Sequence, residues 1–326
     1  MQTRLKSAIF GKKTLIREYN EDFQNQDLKE REITYDNEYI RGKVDEVMLD
    51  GAHLSMRDIE VKKPYQVNVT HDSPLFKLHF EIQGSSLYVP NDSENPNVSI
   101  PHGHYNLLFI PEVDGTLYFD TKHRKTLEVR FSEFLLTKHI GLKFKNVFKS
   151  FGDAIIKQKP YLLWKEGRPI SPKLCFLLND IMDCGFQNIS KKAYLEAKIV
   201  ELLVTVLNEV SSSEYCKDLV PKDDYSSILK IDAYIKNNLK KTLTITTLSN
   251  IAGLNTSKLK KEFKLVFGTT IFKYITELRM AKAKDLIANR GFTVSEASYE
   301  VGYKNPQHFT AAFKRMFGYL PRNIKR

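Results

Sequence analysis

Two hydrophobic periods divide the chain. From about residue 31 to residue 131 apolar and polar positions alternate with period two, which predicts strands with two chemically distinct faces. In Leu75-Phe76-Lys77-Leu78-His79-Phe80-Glu81-Ile82, the side chains Phe76, Leu78, Phe80 and Ile82 share one face, and Lys77, His79 and Glu81 share the other. Leu127, Val129 and Phe131 alternate with Glu128 and Arg130 in the same way. Short strands are expected at 65–70, 105–110 and 116–120, between the turn signals Gln83-Gly84-Ser85, Asn91-Asp92-Ser93 and Asp114-Gly115. Many short strands at this spacing predict an all-β barrel or sandwich. The aromatics Phe76, Phe80, Tyr105 and Phe109 read as its core. The first forty residues give no firm pattern.

After residue 134 the period changes to that of helices, expected at 174–184 and 191–210. In the second, Ile199, Val200, Leu202, Leu203, Val204, Val206, Leu207 and Val210 cover more than one face. A helix apolar nearly all round must be buried on several sides, either within its own monomer or against a second copy in a homodimer. Ser211-Ser212-Ser213 and the polar residues up to Asp224 predict a linker. The division expected is a β sensor or regulatory domain at 1–133, a helical linker or dimerisation segment at 134–225, and an all-helical domain at 226–326.

The last segment contains a repeat. Leu259-x3-Phe263-Lys264-x2-Phe267-Gly268 matches Phe309-x3-Phe313-Lys314-x2-Phe317-Gly318. Each copy predicts a helix that stops at a glycine. A shorter helix precedes each, one ending at Gly253 and the other at Gly302. Thr293-Val294-Ser295-Glu296 has capping-box spacing, and Asn305-Pro306 sets an N-cap before a proline. Two helices joined by a tight glycine-containing turn are a helix-turn-helix unit, whose second helix enters the major groove of DNA. The helix-forming segment 270–289 between the copies would hold two such units about one helical turn of DNA apart, roughly 34 Å.

Charge sharpens this picture. The chain carries +11 overall, yet residues 226–326 hold 19 basic and 6 acidic side chains, a net of +13, leaving −2 for the rest. A basic excess confined to the segment with the repeat points to a polyanion, because lysines that neutralise phosphates release counterions.

On these motifs the chain resembles the AraC/XylS transcription regulators. The tail Phe309-x3-Phe313-Lys314-Arg315-x-Phe317-Gly318-x2-Pro321 looks like their signature, Tyr274-Ile275, Arg279, Ala283 and Leu286 resemble their linker helix, and Gly302-Tyr303 falls at their second turn. This resemblance spans about residues 228–325. A weaker one covers Gly167-Arg168-Pro169-Ile170-Ser171-Pro172, Cys184, Tyr194-Leu195-Glu196-Ala197-Lys198 and Glu201-Leu202-Leu203, with His104-Tyr105-Asn106-Leu107-Leu108. Those residues look like the subgroup typified by the pyochelin-responsive regulator. The family implies a cupin-like N-terminal ligand cup, promoter DNA as partner, and contact with RNA polymerase in activation, with repression as the alternative. The subgroup implies a small effector, a metal–siderophore complex being one candidate.

The family pattern also implies which side chains meet DNA. In the first unit Ser257, Lys260 and Lys261 fall at base-facing positions and Lys264 at a phosphate-facing one, with Lys258 beside them. In the second, Gln307, His308, Thr310 and Ala311 are the equivalents, with Lys314. Glutamine can pair with adenine and lysine with guanine, whereas Ala311 offers at most contact with a thymine methyl. A solvated lysine face is the alternative for these positions.

Other chemistry is sparse. Seven of the eight histidines precede residue 140, and His102-Gly103-His104 resembles the His-x-His of cupin metal sites. Leu108 and Phe109 stand where the completing glutamate belongs, and Glu112 lies too far along, so no metal site is expected. No nucleophile–base signature or phosphate loop is present, so neither catalytic residues nor a cofactor is expected. An enzyme with a DNA-binding tail would need groups that are not found. Control by a partner protein, or by dimerisation alone, stays open beside control by a small effector. Cys175, Cys184 and Cys216 lack paired spacing and predict reduced thiols in a cytoplasmic protein. No apolar run reaches the length of a signal peptide or a membrane span.

Overall fold

The computed structural model describes residues 1–324 apart from 12, 26, 93–94, 142–143, 148 and 166; the side chains of 146–147, 149, 210–219 and 222 also lie outside the description. The chain divides into two compact units: Met1–Ile170 with Met182–Val200, and Ser171–Ile181 with Glu201–Arg326.

The first unit is built from β1 (Gln2–Lys6), β2 (Thr14–Glu18), β3 (Lys29–Asp36), β4 (Ile40–Leu49), β5 (Ala52–Val61), β6 (Tyr65–His71), β7 (Leu75–Gln83), β8 (Ser86–Pro90), β9 (Val98–Ile100), β10 (His104–Ile110), β11 (Val113–Phe119) and β12 (His123–Phe131). Two-residue strands β13 (Tyr161–Leu162) and β14 (Arg168–Pro169) pair with β10. The strands form two antiparallel sheets, ordered β2-β1-β6-β11-β8-β9 and β13-β10-β7-β12-β5-β4-β3. Of the two architectures expected, the sandwich forms and a closed barrel does not, because each described sheet ends in edge strands with no further partner. The first forty residues contribute β1, β2 and β3.

Alternation assigns the faces, with an outcome the sequence did not announce. Phe76, Leu78, Phe80, Tyr105, Phe109, Leu127, Val129 and Phe131 are all buried. They lie on the outer face of the larger sheet, where Phe76 meets Phe151 and Tyr105 meets Trp164 edge to face. Phe151 belongs to α3 (Lys149–Ile156), which follows α1 (Glu133–Ile140) and α2 (Phe144–Val147). The opposite face carries Lys77, His79 and Glu81 of β7 and Arg124, Thr126, Glu128 and Arg130 of β12. It is turned not to solvent but toward the other sheet, where Lys77, His79, Arg124, Glu128 and Arg130 line a cavity.

The remaining helices are α4 (Pro172–Met182), α5 (Asn188–Leu219), α6 (Lys222–Asn237), α7 (Ile245–Ala252), α8 (Thr256–Phe267), α9 (Ile271–Asn289), α10 (Val294–Glu300) and α11 (Pro306–Phe317). The linker expected at 211–224 is instead mostly helical, since α5 continues through the serines to Leu219 and α6 starts at Lys222. The fate of Cys216, and of the apolar side chain at Val210, lies outside the described residues. Within α5, Leu195, Ile199, Leu202, Leu203, Val206 and Leu207 are buried, whereas Val204 is exposed. No helix among the described residues is long and apolar enough to cross a membrane.

Candidate nucleic-acid interface and interior cavity

The helix-turn-helix units are defined by their caps. Thr244 caps α7 by accepting from the Thr247 amide, and Asn255 caps α8 by accepting from Lys258 at 2.8 Å. In the second unit, Thr293 and Glu296 form the reciprocal capping box on α10, and Asn305 accepts from Gln307 at 2.8 Å at the start of α11. Each cap satisfies amides that a helix start leaves unpaired, contributing about 1 kcal/mol. Both long helices end in a glycine with left-handed backbone, Gly268 and Gly318.

The apolar periodicity buries one side of each. Leu259, Phe263 and Val266 of α8 join a core with Ile228, Ile231 and Ile235 of α6, Leu248 of α7 and Tyr274 of α9. Phe309, Ala312 and Phe313 of α11 join a second core with Met280, Ala283 and Leu286 of α9 and Ala297 of α10. Helix α9 thus belongs to both cores. At about 100° per residue, Ser257, Lys260, Lys261 and Lys264 fall in one arc of α8 opposite Leu259 and Phe263, and all four are exposed. Gln307, Thr310, Ala311 and Lys314 fall in the matching arc of α11, exposed except for half-buried Thr310, with exposed His308 and Arg315 on its flank. The arrangement brings each expected set to one surface. Lys258 stands apart, since its ammonium meets Asp224 at 2.6 Å and Glu262 at 3.9 Å, and the hydrogen bond to Asp224 raises its pKa.

A clamp ties the second turn to the first unit. Arg279 of α9 donates to the carbonyls of Leu239 at 3.0 Å and Lys241 at 2.9 Å, and its guanidinium lies over the Tyr303 ring at 5.8 Å. Burial lowers its pKa from the usual arginine value. Gly302 makes that approach possible: a Cβ there would come within 2.7 Å of the Leu239 carbonyl oxygen, and its φ is +87°. Lys240 meets Glu300 at 2.8 Å beside it. In α6, Asp232 accepts from the Tyr274 hydroxyl and pairs with Lys236 at 3.0 Å, a buried polar link between α6 and α9. Burial pushes the nearby Cys175 thiol up to about 11, so it stays protonated.

The cavity of the first unit, about 160 Å³, is the other candidate site. Strand register brings its polar residues into rows. Glu46, Ser55, Glu128 and His79 are successive cross-strand partners, as are His53, Arg130 and Lys77. Buried charges are costly unless paired, and much of the belt is. Arg124 grips Glu81 through two 3.0 Å bonds, Arg57 donates to Glu128 at 2.5 Å, and His79 bridges Glu81 at 2.8 Å and Glu128 at 3.3 Å. Burial opposes ionisation of Glu81, but His79 and Arg124 outweigh it and bring its pKa down to about 2. Burial, reinforced by Arg130 and Arg57, drives His53 down to about 3, so its ring is neutral near pH 7. Sequence reading missed this belt, although alternation in His53-Leu54-Ser55-Met56-Arg57 and along β12 marks it. His102 and His104 lie elsewhere, at the start of β10, where His104 Nδ1 is 2.8 Å from the His102 carbonyl. Among the described residues no three His, Cys, Asp or Glu side chains are grouped to hold a metal.

Comparison with known proteins agrees with both halves. The family described as "Regulatory protein PchR N-terminal domain" matches residues 42–218, more than half of the chain, and that described as "Helix-turn-helix domain" matches residues 248–326. The chain is similar to an uncharacterized HTH-type transcriptional regulator in the cgkA 5' region of Pseudoalteromonas carrageenovora, with 37% identity over 93 residues, 28% of this chain and 55% of that protein. It is also similar to the HTH-type transcriptional activator Btr of Bacillus subtilis (strain 168), with 24% identity over 169 residues, 52% of this chain and 27% of that protein. The chain thus spans about half or less of these relatives' length. Among solved structures, the DNA-binding domain of AdpA in complex with a target DNA aligns at 19% identity and TM-score 0.29, over 29% of this chain and 86% of that one.

Proposed function

We propose that this chain, which belongs to the AraC/XylS family of transcription regulators and carries a PchR-type N-terminal domain, binds promoter DNA in a sequence-specific way under the control of a small effector. Residues 226–326 are the DNA-binding domain, 1–133 the sensor, and 134–225 the segment between them that also offers a homodimer contact. Ser257, Lys260 and Lys261 read base edges, Lys264 holds phosphate, and Gln307, His308, Thr310, Ala311 and Lys314 act on the neighbouring groove segment. Lys258 contributes less, being engaged by Asp224. Contact with RNA polymerase makes the regulator an activator.

The observation that carries the DNA reading is the exposed polar arc of α8, repeated in position on α11, each opposite its buried apolar residues. Control by a small effector is favoured over control by a partner protein because the sensor encloses a cavity lined by polar groups. A metal–siderophore complex is one candidate effector, its metal held by the siderophore's own donors. The test is selection by the full chain from random duplexes, with sequencing of the retained pool. Enrichment of one motif with two half-sites about one helical turn apart is expected. Salt-sensitive retention without an enriched motif would overturn the sequence-specific reading.

A further inference from the structure

The polar belt of the cavity runs out of partners at one end. Arg130 has no carboxylate within 4 Å among the described residues; its hydrogen bonds there are long ones, to Thr3 Oγ1 at 3.5 Å and the Tyr19 hydroxyl at 3.4 Å. Its Nε has no hydrogen-bond partner. Directly across the strand pair stands His53, 1% exposed, with neither ring nitrogen partnered, and the next inward position holds Ser55, 1% exposed and also without a partner. Lys77 is the other cross-strand neighbour of Arg130. Arg17 reaches its carboxylate, Glu46, only at 3.8 Å.

An unmade hydrogen bond at a buried donor destabilises the fold, and more so at a charged one. Here the Arg130 Nε–H and one N–H of His53 supply two such donors beside the cationic Lys77, and the Ser55 hydroxyl, flanked across the strands by Glu46 and Glu128, supplies a third at the edge of that region. Water can accept from them but does not neutralise a guanidinium. Beyond them the lining of the same cavity turns apolar, with Leu5 of β1, Val69 of β6, Leu75 of β7, Ile110 of β10 and Val113 of β11.

We infer that the inter-sheet cavity binds a small organic acid, with its carboxylate on Arg130, His53 and Ser55 and its hydrocarbon body along that apolar wall. The inference rests on the reading of the N-terminal domain as effector-responsive and names the chemical class of the effector. A carboxylate accepts from all three donors, and its pairing with arginine is charge-assisted. Its apolar body gains the burial that a bare inorganic anion lacks.

The experiment is calorimetric titration of the full chain, without DNA, with hexanoate, hexan-1-ol and inorganic phosphate. Hexanoate is expected to bind at least about tenfold more tightly than either, since hexan-1-ol lacks the charge that Arg130 pairs with and phosphate lacks the apolar body. Arg130→Gln should weaken hexanoate by about tenfold or more. Arg130→Lys, which keeps the charge but not the planar fork, should fold and weaken it severalfold. Equal binding of hexan-1-ol would reduce the cavity to an apolar pocket, and equal binding of phosphate would reduce it to an anion hole; either overturns the inference. So does absence of hexanoate binding at millimolar concentration, or unchanged affinity in both variants. Because no DNA is present, this failure is separable from failure of the duplex selection.

Discussion

Helices α8 and α11 each begin at an asparagine cap, end at a left-handed glycine and bury residues four apart, Leu259 with Phe263 and Phe309 with Phe313. On the exposed arc the likeness stops. Ser257, Lys260, Lys261 and Lys264 of α8 face outward where α11 has Gln307, Thr310, Ala311 and Lys314. The buried positions are fixed by packing, because a core position tolerates few volumes. The exposed ones answer only to what they touch. Three lysines against one on the exposed arcs make α8 the helix that gains most from a polyanion, while α11 can hydrogen-bond through Gln307 and keeps its cations, Lys314 and Arg315, in its last turn. The turns differ as well. Gly253 has φ +67° and open space around a Cβ, whereas Gly302 has φ +87° and is pressed against the Leu239 and Lys240 carbonyls.

The largest effect follows from those turns. Gly302→Ala adds a backbone clash to an unfavourable φ and should cost about 3 kcal/mol, against about 1 kcal/mol for Gly253→Ala, which meets the φ penalty alone. Denaturant unfolding of both variants measures the difference, and equal losses would mean that the clamp around Gly302 relaxes freely. Next comes the double variant Lys260→Ala/Lys261→Ala, expected to weaken binding to a selected duplex about 100-fold and to flatten its salt dependence. Ala311→Lys makes α11 resemble α8; affinity should rise severalfold and the salt slope should steepen by about one counterion. The smallest change is expected for Lys258→Ala, under about threefold in duplex affinity, because its ammonium is already engaged by Asp224 at 2.6 Å.

The likeness of α8 and α11 is legible in the sequence because it is local. Capping signals, a 3.6-residue period and a terminal glycine all fall within a dozen residues, and the same signals occur twice. The N-terminal sheets are legible only in part. Alternation in β7 separates Phe76, Leu78 and Phe80 from Lys77, His79 and Glu81, but it cannot say what covers each face. Here Phe151 of α3 and Trp164 cover the apolar face, and the second sheet covers the polar one, so the charged row becomes the lining of a cavity. That row is assembled by pairing residues far apart in sequence, such as His53 with Arg130, and a single strand does not contain that information. The serines at 211–213 mislead for a related reason. Polar composition marks a linker, whereas neighbouring helical turns carry α5 through it.

If α8 and α11 meet DNA as proposed, two helices of one design read it unequally. The most direct measurement repeats the random-duplex selection with full-length Lys260→Ala/Lys261→Ala beside the unaltered chain and compares base preferences at the two half-sites. One half-site is expected to lose its preference while the other, under α11, keeps a shallower one. Unchanged preferences at both half-sites, or equal loss at both, would contradict that expectation.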